Sequence, residues 1–163
     1  MTAAPKLLVD TNVWLDGLLP CRPGHEAARK FFDFAGQREV PLLYAATTAK
    51  DVFFLAGATL KQEAREQGQK LTEDLCKAAE HIAWSCIEEI AEMGFSVGCD
   101  ESDLWLARKY RNVHGDFEDD LIIAAAQRAG ADFVVTGDKR LILHCPVAAL
   151  DPADMLDHLQ KTL

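Results

Sequence analysis

Three short runs in this chain are apolar at consecutive positions: Leu7-Leu8-Val9, the "VPLLYA" of residues 40–45, and Phe133-Val134-Val135. A strand that buries one face alternates apolar and polar side chains, whereas a strand covered on both faces does not. Segments with helical apolar spacing separate these runs. His25 to Ala35 carries Ala27, Ala28, Phe31, Phe32 and Ala35, and Leu71 to Met93 carries Leu75, Ala79, Ile82, Cys86 and Ile90. Buried strands with helices between them pair in parallel and need helices on both faces. The expected fold is therefore α/β, a three-layer α/β/α sandwich around a central, mainly parallel sheet. "FSV" (95–97) and "PVAAL" (146–150) are expected as shorter strands. Asn12 to Leu19, Thr48 to Ala58, Asp103 to Tyr110 and Leu121 to Ala129 are expected as helices, with a last helix capped by Asp151 and begun by Pro152. "KQEAREQGQK" reads as a solvated helical extension or loop, and "RNVHGDFED" as a loop. No repeat, low-complexity tract or linker divides the chain, so one domain is expected over residues 1–163.

A chain of 163 residues can bury a substantial core. Its net charge of −9 argues against a protein that coats nucleic acid by electrostatics. It leaves room for a nucleic-acid enzyme, because a metal site needs clustered acids and bound cations invert the local field. The five cysteines, Cys21, Cys76, Cys86, Cys99 and Cys145, include no C-x-x-C pair and fit a reducing cytoplasm better than a disulfide framework or a zinc site. The N-terminal stretch has one Lys and too short an apolar run for a signal peptide, and no stretch approaches the ~20 apolar residues of a membrane span. His25, His81, His114, His144 and His158 lack metal-ligand spacing and read as surface or half-buried residues. Trp14, Trp84 and Trp105 stand at apolar positions and are expected in the core. No glycine-rich nucleotide-binding loop is present.

The acids carry the chemistry. Asp10 ends the first apolar run, and Asp138 follows Phe133-Val134-Val135-Thr136-Gly137. Open parallel sheets bind ligands beyond the carboxyl ends of their strands. Either acid alone suits a turn or a helix N-cap. The pair argues for more, because Thr11, Asn12 and Thr136 supply neutral oxygens at the same places. Asp116, Glu118, Asp119 and Asp120 gather at a helix start, where carboxylates complement the helix dipole and Asp116 with Asp119 has capping-box spacing. On a helical wheel Asp119 falls among Ile122, Ile123 and Ala126, and Asp120 falls near Gln127 towards solvent. A carboxylate on an apolar face is costly unless it is paired or binds a cation, which singles out Asp119. Asp51 either forms a capping box with Thr48 or points from its helix into the same acidic pocket. Gathered carboxylates raise one another's pKa unless a cation neutralises them. Carboxylate and water oxygens suit Mg2+ or Mn2+, which activate water and shield an in-line phosphodiester displacement.

Asp10-Thr11-Asn12 after a short strand, the acid at Asp51, and "DFEDDLIIAAAQRAGADFVVTGD" closing on Asp138 together resemble a PIN domain. That family comprises metal-dependent ribonucleases, many of them toxins of bacterial VapC-type toxin–antitoxin pairs. The resemblance covers nearly the whole chain and is most specific in its C-terminal stretch. It implies a metal-dependent endoribonuclease with catalytic acids at Asp10, Asp51, Asp119 and Asp138, of which Asp10, Asp119 and Asp138 hold the metal. Its small hydroxyl positions fall on Thr11 or Asn12 and on Thr136, which would orient a water or phosphate oxygen. Asp120 stands where relatives usually carry a small residue, and the chain is longer than many of the toxins. An RNA substrate, an antitoxin and a homodimer are the implied partners. Arg108, Lys109 and Arg111, with Tyr110 among them, form the best local basic patch for a phosphate backbone. The rival reading is a PIN-like protein-binding module with little or no nuclease activity. A haloacid-dehalogenase phosphatase would want a second Asp at Asn12, and a receiver domain a different layout of acids and Lys.

Overall fold

The computed structural model describes residues 4–112 and 115–163. Met1–Ala3 of the N-terminal stretch and Val113 and His114 of the expected loop lie outside the described residues. The chain forms β1 (Leu7–Val9), α1 (Thr11–Leu18), α2 (His25–Gln37), β2 (Leu42–Ala45), α3 (Ala46–Glu66), α4 (Glu73–Met93) and β3 (Phe95–Val97). It continues through α5 (Glu101–Tyr110), α6 (Phe117–Ala129), β4 (Phe133–Val135), α7 (Lys139–His144), β5 (Ala149–Leu150) and α8 (Pro152–Thr162). The strands make one five-stranded sheet in the order β3-β2-β1-β4-β5, and every pairing is parallel. Leu8 sits opposite Leu43 on one side and Val134 on the other.

Side chains on a strand alternate between faces. Leu7 and Val9 accordingly join Trp14, Phe31, Phe32, Tyr44, Met155 and Leu159 in one apolar layer. Leu8 joins Leu43, Val134, Ile122, Ala125 and Ala126 in the opposite one. The helices thus cover both faces of a sheet whose central strand is wholly buried, as the unbroken apolar runs require. Trp14 stacks on Phe32 at 4.7 Å and meets Tyr44 edge-on. Helix α6 stops at Gly130, whose φ of 63° is the left-handed conformation that glycine adopts without strain.

Several local expectations are corrected. Trp14 is core, but Trp84 and Trp105 are 54% and 56% exposed. Trp84 lies on the outer flank of α4 against Phe53, beyond the Ala79, Ala83, Cys86 and Ile90 stripe that α4 buries. Trp105 is covered instead by the Lys109 ammonium, 3.5 Å from its ring centre. Thr48 does not cap α3, which begins at Ala46 with no side-chain cap. Its hydroxyl is buried and meets that of Thr11 at 3.3 Å. Helix α3 runs to Glu66, which favours the helical extension over the loop for that polar stretch, and α6 begins at Phe117 rather than Leu121. No helix among the described residues is long and apolar enough to cross a membrane.

Candidate active site

In the order β3-β2-β1-β4-β5 the chain leaves β1 towards β2 on one side and returns to β4 on the other. Such a reversal opens a crevice at the carboxyl ends of the strands. Asp10 is the first residue beyond β1, and its N–H donates to Val135 O at 2.9 Å, which ties it to the end of β4. Its Oδ1 accepts from the Thr11 N–H at 2.7 Å and its Oδ2 from the Thr136 hydroxyl at 2.8 Å. The wholly buried Thr136 also accepts from the Asp138 N–H at 3.0 Å. One hydroxyl therefore joins the two acid-bearing strand ends. Its proton is committed to Asp10 and its side chain is wholly buried, so here Thr136 holds Asp10 in place. Burial pushes the Asp10 carboxyl above the usual range. The bonds from Thr136 and Thr11 oppose that shift, and the charges of Asp138 and Glu118 add to it.

A cavity of about 180 Å³ opens against Asp10, with Asn12, Lys50, Asp51, Glu118 and Asp119 in its walls. Helix α3 follows β2 without a loop, so its first turns start at the sheet edge and carry Lys50 and Asp51 there. Asp116 is spent as the α6 N-cap, accepting from the Glu118 N–H at 2.9 Å, which leaves Glu118 and Asp119 of the first turn at the cavity. The wheel placed Asp119 on the same side as Ile122, and both do line the cavity. Asp119 is half-buried and lines the cavity wall. Asp120 was expected near solvent and is instead 2% exposed. Helix α5 packs along α6 and covers the flank that a single-helix wheel assigns to water.

Asp138 stands apart from the other acids. It caps α7, with its Oδ1 accepting from the Arg140 and Leu141 N–H groups at 2.7 and 3.3 Å. Arg108, Lys109 and Arg111 are absent from the described cavity lining. The cation that does line it, missed in the sequence, is Lys50, whose Nζ lies 2.8 Å from Asp51 Oδ1. Asp51, and more weakly Glu118, hold its ammonium above the ordinary lysine range. The only signal for it was its place beside Asp51, on a helix start.

A family model described as PIN domain matches residues 6–140, a span that holds every acid of this site. The chain belongs to the PIN domain family. PIN domains are generally nucleases that use divalent metal ions. Among solved structures, the crystal structure of PAE2754 from Pyrobaculum aerophilum matches with a TM-score of 0.60. The match covers 96% of this chain and 90% of that one at 18% identity, a likeness of fold. No curated protein matches.

A metal ion suits the donors of this PIN domain. Asp10 is an ionisable group in a nearly dry place with further carboxylates around it, and a cation offsets that repulsion. Among the described residues no three His, Cys, Asp or Glu side chains converge closely enough to form a ready-made cage. The expected trio of Asp10, Asp119 and Asp138 is thus not pre-assembled, because Asp138 is turned to its cap. Small divalent cations that keep several of their waters need only one or two direct carboxylates, so the donor set fits an open, partly hydrated site.

Proposed function

We propose that this PIN domain is a Mg2+- or Mn2+-dependent endoribonuclease, acting in the cytoplasm as the toxin of a toxin–antitoxin pair. The observation that carries the nuclease reading is the cavity at the sheet reversal, where a buried Asp10 locked by Thr11 and Thr136 faces Asp51, Glu118 and Asp119. Asp10 and Asp119 would hold the ion directly, with Asp138 joining only if it leaves its cap on α7, and the ion would supply an activated water and neutralise phosphate charge. The chain does the rest. Thr136 fixes the Asp10 rotamer, Asp51 keeps Lys50 at the cavity, and Asn12, exposed on its wall, offers an amide to a water or phosphate oxygen. With the ion bound, water would add to phosphorus in line with the departing ribose oxygen, giving up a proton to solvent while that oxygen takes one from solvent.

Purified protein with Mn2+ should cut a mixed structured RNA. Asp10→Asn and Asp119→Asn should each cut at least about 10²-fold more slowly, the loss expected when several kcal/mol of charge stabilisation goes. Cleavage that persists in both variants would identify a contaminating nuclease.

The protein-binding reading keeps one observation of its own. Phe54, Leu55 and Trp84 are 66%, 44% and 54% exposed, and Phe53 links Phe54 and Trp84 through ring contacts. Such a patch suits an antitoxin segment or a second copy of the chain. It becomes the preferred reading if wild type that binds Mn2+, freed of any partner, leaves RNA intact.

A further inference from the structure

The acidic cavity measures about 180 Å³. The cavity opens to solvent and its walls carry Asp10, Asp51, Glu118 and Asp119, so a phosphate drawn in beside a cation leaves its adjoining base to any apolar surface at the cavity lip. Phe117 forms part of that lip. It is 58% exposed, opens α6 next to Glu118 and Asp119, and belongs to neither apolar layer of the fold. Lys50 is the basic side chain among the described lining residues. Its partner Asp51 is adjacent in sequence, and 63% of the lysine side chain is open to water. An ion pair this exposed is weakly held, so the ammonium can leave Asp51 when a phosphate offers a better acceptor.

Resting on the nuclease reading of this site, we propose that Lys50 and Phe117 form a one-nucleotide subsite for an unpaired strand. The Lys50 ammonium takes a phosphate oxygen beside the acids, and the Phe117 ring stacks the adjoining base at the lip. A base inside a duplex is already stacked on both faces and cannot use Phe117, so the pair selects single-stranded or looped substrate. Every base offers a π-face, so the selection is tolerant of sequence.

The test is fluorescence anisotropy with the full chain, with Ca2+ in place of Mn2+. The probes are a labelled RNA strand, a DNA strand of the same sequence and the RNA duplex. Phe117→Ala should weaken strand binding about 5- to 100-fold with an unchanged salt slope, and Phe117→Trp should retain it. Lys50→Met should weaken binding and lower the salt slope by about one, while Lys50→Arg should keep the slope. Duplex affinity should not respond to Phe117→Ala. Melting temperatures equal to wild type verify that the exposed substitutions leave the fold intact. The proposal is overturned by equal strand affinity in wild type, Lys50→Met and Phe117→Ala, by a loss shared with the duplex, or by no strand binding in wild type. Strand binding that depends on Lys50 and Phe117 without any Mn2+ cleavage would uphold the subsite and reject the nuclease. Asp10-dependent cleavage with binding indifferent to both residues would do the reverse.

Discussion

Asp10 is 6% exposed and keeps its carboxylate among other acids, so its ionised form is the costly one. The folded pKa lies above the unfolded value of about 3.9. The folded state therefore holds this proton more tightly, and the group's contribution is fully favourable below the unfolded pKa. It is lost as pH rises through the folded one. At neutral pH the metal-free protein carries that cost. Asp10→Asn removes it and can still accept from the Thr11 N–H, while its amide reverses the Thr136 bond and leaves that hydroxyl proton to turn to another acceptor, a smaller cost than the buried charge. In EDTA the variant should melt no lower than wild type at pH 7, and its advantage should shrink as pH is lowered. A variant that melts lower with the wild-type pH slope would make Asp10 a purely structural cap. Asp10 was legible in sequence because it interrupts an apolar run at a strand end. Asp119 was legible because a carboxylate shares a helix side with Ile122. The capping of α7 by Asp138 was legible as one of two alternatives, and the burial of Asp120 was not, since it depends on packing between helices that sequence spacing does not reveal.

Among the elements, α1 and α2 meet where a glycine sits inside a helix. A helical glycine costs about 1 kcal/mol relative to alanine, so Gly17 implies a contact that a methyl group would spoil. A Cβ on Gly17 would lie 2.5 Å from the Phe32 ring, which cannot swing away because it is buried and stacked on Trp14. Gly17→Ala should therefore lose about 1–2 kcal/mol, overpacking of ~1–3 kcal/mol outweighing the propensity gain. Gly57 in α3 is the control, since its added Cβ meets nothing within 4 Å. Gly57→Ala should gain up to ~1 kcal/mol. Urea unfolding that moves both variants the same way would refute the packing argument. The long elements could be read from their periodicity, and the buried strands from unbroken apolar runs bounded by helices. Helix α7 escaped because "KRLILH" is too short to display a period and follows a strand exit that already looked like a turn. The early start of α6 escaped because "FEDD" is as polar as a loop, and its first turn is held by the Asp116 cap.

For the whole molecule, the excess of 26 acidic over 17 basic residues is unevenly spent. Exposed pairs such as Lys30–Glu26 and Lys77–Glu73 balance charge along single helices at little gain. The carboxylates at the sheet reversal have Lys50 alone among the described cavity-lining bases. Asp10, Asp51, Glu118 and Asp119 gather at one place, where strands β1 and β4 end and helices α3 and α6 begin. An ion bound there by the native state stabilises the entire fold through mass action, and the unfolded chain, with its acids dispersed, gains nothing comparable. At ten times its dissociation constant such an ion adds about 1.4 kcal/mol, which raises the melting temperature of a chain this size by roughly 3–6 °C. Mn2+ or Mg2+ should produce that rise in wild type, and Asp119→Asn should lose most of it. Sodium chloride at matched ionic strength screens the same repulsion without occupying the cavity, so it should reproduce only a small part. A rise equal in sodium chloride, or one kept in full by Asp119→Asn, would mean that the charges relax by screening alone and that no ion is held at the sheet edge.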